Sequence, residues 1–380
     1  MPNRNSILRC GYLLPRVLLL WALLDVTLRF APPQWYTFRV YEFAAITGPH
    51  NEGQFRTNFT YQNSRAYGDL ASLGNCMECR QYRPMNVHMD ARGFANPASS
   101  GLYDAILVGD SFGVGAEQAA GATLASQISL RTGLSTYNAC RLGRAITRED
   151  LLALIDELGI ANGTVLFELM DRSLGTVPSS QEDPERENLD RWSKNAEYSP
   201  LANVSLEVVG RFYDGRLMPN PYAVNVVRKI LPDGQPILIQ LDDARDGIPD
   251  APRLWAQYFR VLNKELRQRK FRLIVILVPS KYTVYQPLIK NAPQTNKSQA
   301  FEELQKRLND MLVVNTTVAL QQAAAEGLEH GSLLYWRDDT HWNEDGVRVA
   351  ADQLQAQYAA GFGATSGPAK VTSVSQKRPR

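Results

Sequence analysis

From residue 104 onward, short apolar runs alternate with stretches whose apolar residues recur at helical spacing. That alternation is the tightest constraint on what this chain can fold into. Residues 104–108, 135–139, 164–168, 272–278 and 312–315 read as strands. Helices are expected over roughly 117–132, 148–158, 252–269, 299–310 and 318–326, with a final helix starting near Asn343 or Glu344. Strands this short and apolar need burial on both faces, which a parallel sheet between two helical layers supplies. The expected class is therefore α/β. With 380 residues, 44% of them hydrophobic, the chain is long enough for one large domain or two ordinary ones.

The alternation breaks between 173 and 248, a stretch read as a lid or substrate-contact insertion. Residues 179–195 within it are charged and turn-rich and should be exposed. Two apolar runs, 229–231 and 237–241, flank Pro232-Asp233-Gly234-Gln235-Pro236, a hairpin signal with its turn at Asp233-Gly234. Residues 31–103 lack clear periodicity and read as an irregular arm laid over the main domain at 104–362. The polar, basic residues 363–380 read as a disordered tail.

At the N-terminus, Arg4, Arg9 and Arg16 precede an eight-residue apolar run, 17–24, which Asp25 and Arg29 then interrupt. A full membrane span needs ~20 apolar residues and a signal core about 7–15. The favoured reading of 1–30 is an uncleaved signal-anchor, a single-pass membrane segment with the main domain on the periplasmic side. An amphipathic helix packed on the protein or on a membrane surface is the other reading. A net charge of +2 without a basic stripe argues against a nucleic-acid partner. Cys76 and Cys79 form one C-x-x-C with no second pair, which suits a local disulfide better than zinc. Cys10 and Cys140 read as packing residues, and neither a metal nor a cofactor is expected.

Two distant strings carry the chemistry. Ile106-Leu107-Val108-Gly109-Asp110-Ser111-Phe112 puts a serine just past the first parallel strand, where such a sheet opens its ligand crevice. A serine there can also be a plain helix cap. Asp338-Asp339-Thr340-His341-Trp342-Asn343 holds one of only four histidines, with Asp339 two residues before it and Asp338 three. Either carboxylate can reach Nδ1, Asp339 being the favoured one. A serine, a base and a group that orients the base are the parts of acyl transfer through a serine ester.

Together these strings resemble the SGNH (GDSL-type) hydrolase superfamily, and within it the membrane-linked polysaccharide O-acetyltransferases, the alginate acetylation proteins and their relatives. Met89-Asp90-Ala91-Arg92-Gly93-Phe94 also resembles the lead-in of that branch. The resemblance implies a flavodoxin-like α/β/α sandwich with Ser111 as nucleophile, His341 as base and acid, and Asp339 as its orienting carboxylate. It also implies an oxyanion hole, for which Asn138 or Gly143 would join the Ser111 N–H, with Asp110 in support. No Gly-x-Asn-Asp string follows the third strand. Phe167-Glu168-Leu169-Met170-Asp171-Arg172 stands there instead, as in the acetyltransferase branch, and Glu168 and Arg172 would pair if that segment turned helical.

Lys281 and Tyr285 should reach the crevice edge, as contacts for an anionic sugar and a sugar ring, or else as a solvated lysine and a core tyrosine. Trp342, with Asn343 beside it, is a further platform, or a wall of the triad. The implied activity is transfer of an acetyl group to a polysaccharide acceptor, or hydrolysis of such an ester. It would take an acetyl donor and a membrane acyl-transfer partner. A carbohydrate-binding protein on a decayed scaffold is the alternative, and a structural envelope protein using its C-x-x-C loop for contacts a further one.

Overall fold

The computed structural model describes residues 4–39, 42, 55–74, 76–97, 101–115, 117–143, 145–175, 199–213 and 225–362. The expected tail at 363–380 and the charged stretch 179–195 lie outside them. The chain opens with helix α1 (Arg4–Leu28). Strand β1 (Phe59–Ala66), short helix α2 (Asp69–Leu73) and strand β2 (Arg83–Met89) follow, with β1 and β2 paired antiparallel.

The main domain then runs β3 (Ala105–Val108), α3 (Ser111–Val114), α4 (Leu124–Thr132), β4 (Thr136–Asn138), α5 (Arg148–Glu157) and β5 (Gly163–Met170). The insertion contributes α6 (Pro200–Tyr213) and an antiparallel hairpin of β6 (Val226–Ile230) and β7 (Pro236–Gln240), turning at Asp233-Gly234 as expected. After it come α7 (Ala251–Gln268), β8 (Phe271–Val278), α8 (Lys281–Tyr285), α9 (Lys297–Arg307), β9 (Leu312–Asn315), α10 (Thr317–Glu329) and α11 (Glu344–Phe362).

The five long-range strands form one parallel sheet in the order β4-β3-β5-β8-β9. Counted by chain order within the sheet this is 2-1-3-4-5, the flavodoxin-like order. Its direction reverses beside the first strand and opens a crevice at the strands' C-terminal ends. Residue alternation assigns the two faces. Leu107, Leu166, Ile274, Ile276 and Val314 pack with side chains of α4, α10 and α11. Ile106, Val108, Val165, Phe167, Val275 and Val313 pack with α5, α7 and α9. Helix α7 shows why it docks there: Trp255, Phe259, Leu262 and Leu266 fall on one stripe and are all buried. The result is a three-layer α/β/α sandwich.

One expectation needs correction. The arm is not irregular throughout, because β1 and β2 form a hairpin. Its inward positions include Asn63 and Arg83 beside Tyr61 and Met85, so the usual apolar–polar alternation is disguised. Among the described residues, no helix is long and apolar enough to cross a membrane. Helix α1 does hold Leu18, Leu19, Leu20 and Trp21 at the surface, but its apolar run is short and bounded by charge. Cys76 and Cys79 are joined in a disulfide, and Cys140 is buried and free. The side chain of Cys10 lies outside the described residues.

Candidate active site

Ser111 opens α3 directly beyond β3, and the Gly-Asp-Ser turn explains its placement. A Cβ at Gly109 would lie 2.3 Å from Oε2 of Glu168, so only glycine lets that β5 side chain pass beneath the turn. Glu168 Oε2 accepts the N–H of Asp110 at 2.9 Å, and Asp110 caps α3 by accepting the N–H of Phe112 at 3.0 Å. Ser173 Oγ donates to the second oxygen of Asp110 at 3.0 Å. Burial and the neighbouring Asp110 carboxylate push the Glu168 acid well above its ordinary pKa.

His341 stands opposite. Its Nε2 lies 2.8 Å from Ser111 Oγ and its Nδ1 lies 2.6 Å from Asp339 Oδ1. Asp339 Oδ1 also accepts the His341 N–H at 3.0 Å, so one carboxylate fixes both ring and backbone. The choice between the two aspartates is settled in geometry. Asp338 accepts the N–H groups of Gly68 and Gln81 at 2.7 and 2.8 Å and serves the arm, not the histidine. Trp342 donates its indole N–H to Phe112 O at 3.2 Å, bracing the histidine loop against α3.

Sequence reading missed three groups, two of them supplied by the arm. Arg83 grips both aspartates, with Nη1 to Asp338 at 2.9 Å and Nη2 to Asp339 at 3.0 Å, and lies 4.5 Å over the Trp336 ring. The Asp69 N–H donates to Asp339 Oδ2 at 3.1 Å, and its carboxylate accepts from both the N–H and the hydroxyl of Thr340 at 2.9 Å. No local spacing announces contacts made across more than 250 residues. Arg83→Met leaves two carboxylates buried without their cation. It is expected to destabilise the protein by roughly 3–5 kcal/mol, seen as a lower urea midpoint at unchanged slope. An unchanged midpoint would show that the grip is not needed.

The third missed group, Glu117, follows Ser111 by six residues and places Oε1 3.7 Å from His341 Nδ1. The electrostatics of the cluster follow from burial and mutual charge. Burial raises Glu117 to about 7 and Asp69 to about 6. Burial also disfavours the His341 cation, but Glu117 and Asp339 outweigh it and lift the ring to about 10. Burial would raise Asp339 too, yet His341 and Arg83 hold it well below the usual carboxylate range.

Removing the Glu117 charge takes support from the imidazolium, so the neutral, proton-accepting ring persists to lower pH. Glu117→Gln should therefore move the acid limb of a pH–rate profile down by ~1–3 units. A profile that stays in place would contradict this electrostatic role.

A cavity of about 180 Å³ opens in front of the serine, lined by Ser111, His341, Met85, Leu142, Gly143 and Arg172 among others. Gly143 takes φ 87°, a conformation that suits glycine. Asp69, Asp339 and His341 bring ligand-type atoms within 4.8 Å of one another, a separation that a metal could bridge. The same groups are already engaged with Thr340, Arg83 and Ser111, which fits a proton relay better than a metal cage.

Several expected site residues lie elsewhere. Asn138 spends its amide N–H groups on Gly113 O and Val114 O at 3.0 and 3.3 Å, so it braces α3 and has no donor left for an oxyanion. Arg172 does not pair with Glu168. It meets Asp243 through two bonds of 2.7 and 3.0 Å, because Glu168 lies within β5 and Arg172 in the short 3-10 helix that follows it.

Lys281 is fully buried, and its ammonium donates to the carbonyls of Leu238, Arg337 and Asp339 at 2.7, 3.1 and 2.8 Å. It ties the insertion to the histidine loop and has no route to a sugar. Tyr285 is a core residue whose hydroxyl accepts the Leu334 N–H at 2.8 Å. Trp342 is fully buried and walls the triad, so it offers no platform. Asn343 caps α11 by accepting the N–H groups of Asp345 and Gly346 at 2.9 and 3.1 Å. The lead-in string proves to be a turn: Asp90 binds the Arg92 and Phe94 N–H groups and the Tyr137 hydroxyl, pinning the arm to β4.

Comparison with known proteins adds a family. Residues 248–380 match the family model described as SGNH hydrolase-like domain, acetyltransferase AlgX. A search of curated proteins returns no match. The family match includes the histidine string and supports placement in the SGNH hydrolase superfamily, in its AlgX-like branch.

Proposed function

We propose that this protein moves acetyl groups through a serine ester, transferring them to a polysaccharide hydroxyl or releasing them to water. The observation that carries this reading is the unbroken relay from Ser111 Oγ to His341 Nε2 at 2.8 Å and from Nδ1 to Asp339 at 2.6 Å. In the first half-reaction Ser111 Oγ attacks the acyl carbon while His341 Nε2 takes its proton. The N–H groups of Ser111 and Gly143 hold the developing oxyanion. As the intermediate collapses, His341 returns the proton to the leaving group and acetyl-Ser111 remains.

In the second half-reaction a sugar hydroxyl, or water, gives its proton to His341 and attacks the ester carbonyl. The serine is then restored with its proton. A cavity of about 180 Å³ suits an acetyl group better than a long acyl chain. The exposed apolar side chains of α1 and the Cys76–Cys79 disulfide fit a membrane-associated protein in an oxidising compartment outside the cytoplasm. There a membrane acyl-transfer partner would deliver the donor.

Incubation with a chromogenic acetyl ester, with and without an oligosaccharide acceptor, tests the reading by mass spectrometry. Acetylated sugar indicates transfer and free acetate alone indicates hydrolysis. Turnover no faster than buffer in both arms would leave a non-catalytic, sugar-binding scaffold.

A further inference from the structure

A second and larger cavity, about 390 Å³, lies behind the nucleophile's helix, between β2 of the arm, α4 and the edge strand β4. Its lining is hydrogen-bonding but uncharged. Among the described residues that form it, none carries a carboxylate, an ammonium or a guanidinium. His88 commits Nδ1 to Asn96 O at 2.7 Å. Ser126, Thr136 and the Tyr103 ring add hydroxyls and an aromatic face.

Gln118 donates Nε2 to Trp342 O at 2.9 Å, while its buried Oε1 has no hydrogen-bond partner among the described residues. A buried acceptor without a donor is unfavourable, and this one belongs to a residue that lines the cavity. Amides, hydroxyls and one aromatic ring without net charge are the chemistry of neutral-sugar recognition. An anionic sugar finds no cation in this lining.

We propose that this cavity is a subsite for an uncharged sugar unit, an inference that rests on the polysaccharide-directed reading of the Ser111 site. Its walls are tied to the reaction centre at two points. Gln118 binds the carbonyl of the residue after His341, and Asn138 binds two carbonyls of α3. The cavity therefore adjoins the backbone that carries the nucleophile and the base.

The test titrates the full-length protein with cellobiose and maltose, and with a diuronate as charged control, by ligand-observed NMR. Ser126→Phe fills the cavity from α4 and Asn86→Trp fills it from the exposed edge of β2. Neither residue belongs to the relay. A neutral disaccharide should bind, at least tenfold more tightly than the diuronate and at least tenfold more weakly to either filled variant. Small-ester turnover should be unchanged in both variants.

Binding of neither neutral disaccharide would overturn the proposal. So would equal binding of the diuronate, or filled variants that bind like the wild type. The acyl-transfer reading is scored separately, by ester turnover of the wild type. A neutral sugar displaced by cavity filling supports the subsite whether or not that turnover is found.

Discussion

Replacing Ser111 with alanine is expected to lower acetyl-ester turnover by about 10⁶-fold, the loss seen when a serine nucleophile is removed from an intact relay. The change deletes one hydroxyl. The turn that carries it is held by Asp110 and Glu168 through backbone N–H groups, so the fold should be unaffected. Residual catalysis would come from cavity binding and the oxyanion donors alone. A variant that retains a tenth of wild-type turnover, with an unchanged melting transition, would place the chemistry elsewhere.

Asp339→Asn is expected to cost about 10⁴-fold in kcat, because an amide cannot hold His341 in the tautomer that accepts the serine proton. The substitution also trades one carboxylate oxygen against Arg83, so stability must be measured beside rate. Glu117 gives this prediction a particular edge. Its Oε1 lies 3.7 Å from the same Nδ1. A loss below tenfold would mean that Glu117 can orient the ring when Asp339 cannot. The double variant Asp339→Asn/Glu117→Gln would then show the full loss.

Much of this arrangement is legible in the chain. Apolar runs such as 272–278 are short, β-branched and flanked by turn residues, and they reappear as strands within a residue or two. A parallel sheet follows from those strands and places Ser111 at the crevice, while the flavodoxin-like arrangement is what the family resemblance implies. His341 is readable because histidine is scarce and a carboxylate precedes it closely.

What was not legible has a common physical cause. Arg83 and Asp69 reach the histidine loop through contacts with residues more than 250 positions away, and the polar inward positions of β1 and β2 hide the pattern that marks a strand. Lys281 and Tyr285 stay ambiguous in sequence for the opposite reason. A residue just beyond a strand end can face the crevice or turn into the core, and spacing does not distinguish these. Three carbonyls gather around the Lys281 ammonium, and nothing local foretells them. Glu168 and Arg172 sit four apart, but they pair only on a helix, and β5 runs through Met170 instead.

The central claim is that acyl transfer passes through an ester on Ser111. It is tested most directly by mixing the full-length protein with an acetyl ester, quenching in acid within the first turnover and mapping the modified peptide by mass spectrometry. The account predicts an acetyl group on Ser111 that forms in the wild type, accumulates when a poor acceptor slows the second step, and is absent from Ser111→Ala. Turnover without any acetyl-Ser111, or with the acetyl group on another residue at an equal rate in Ser111→Ala, would contradict it.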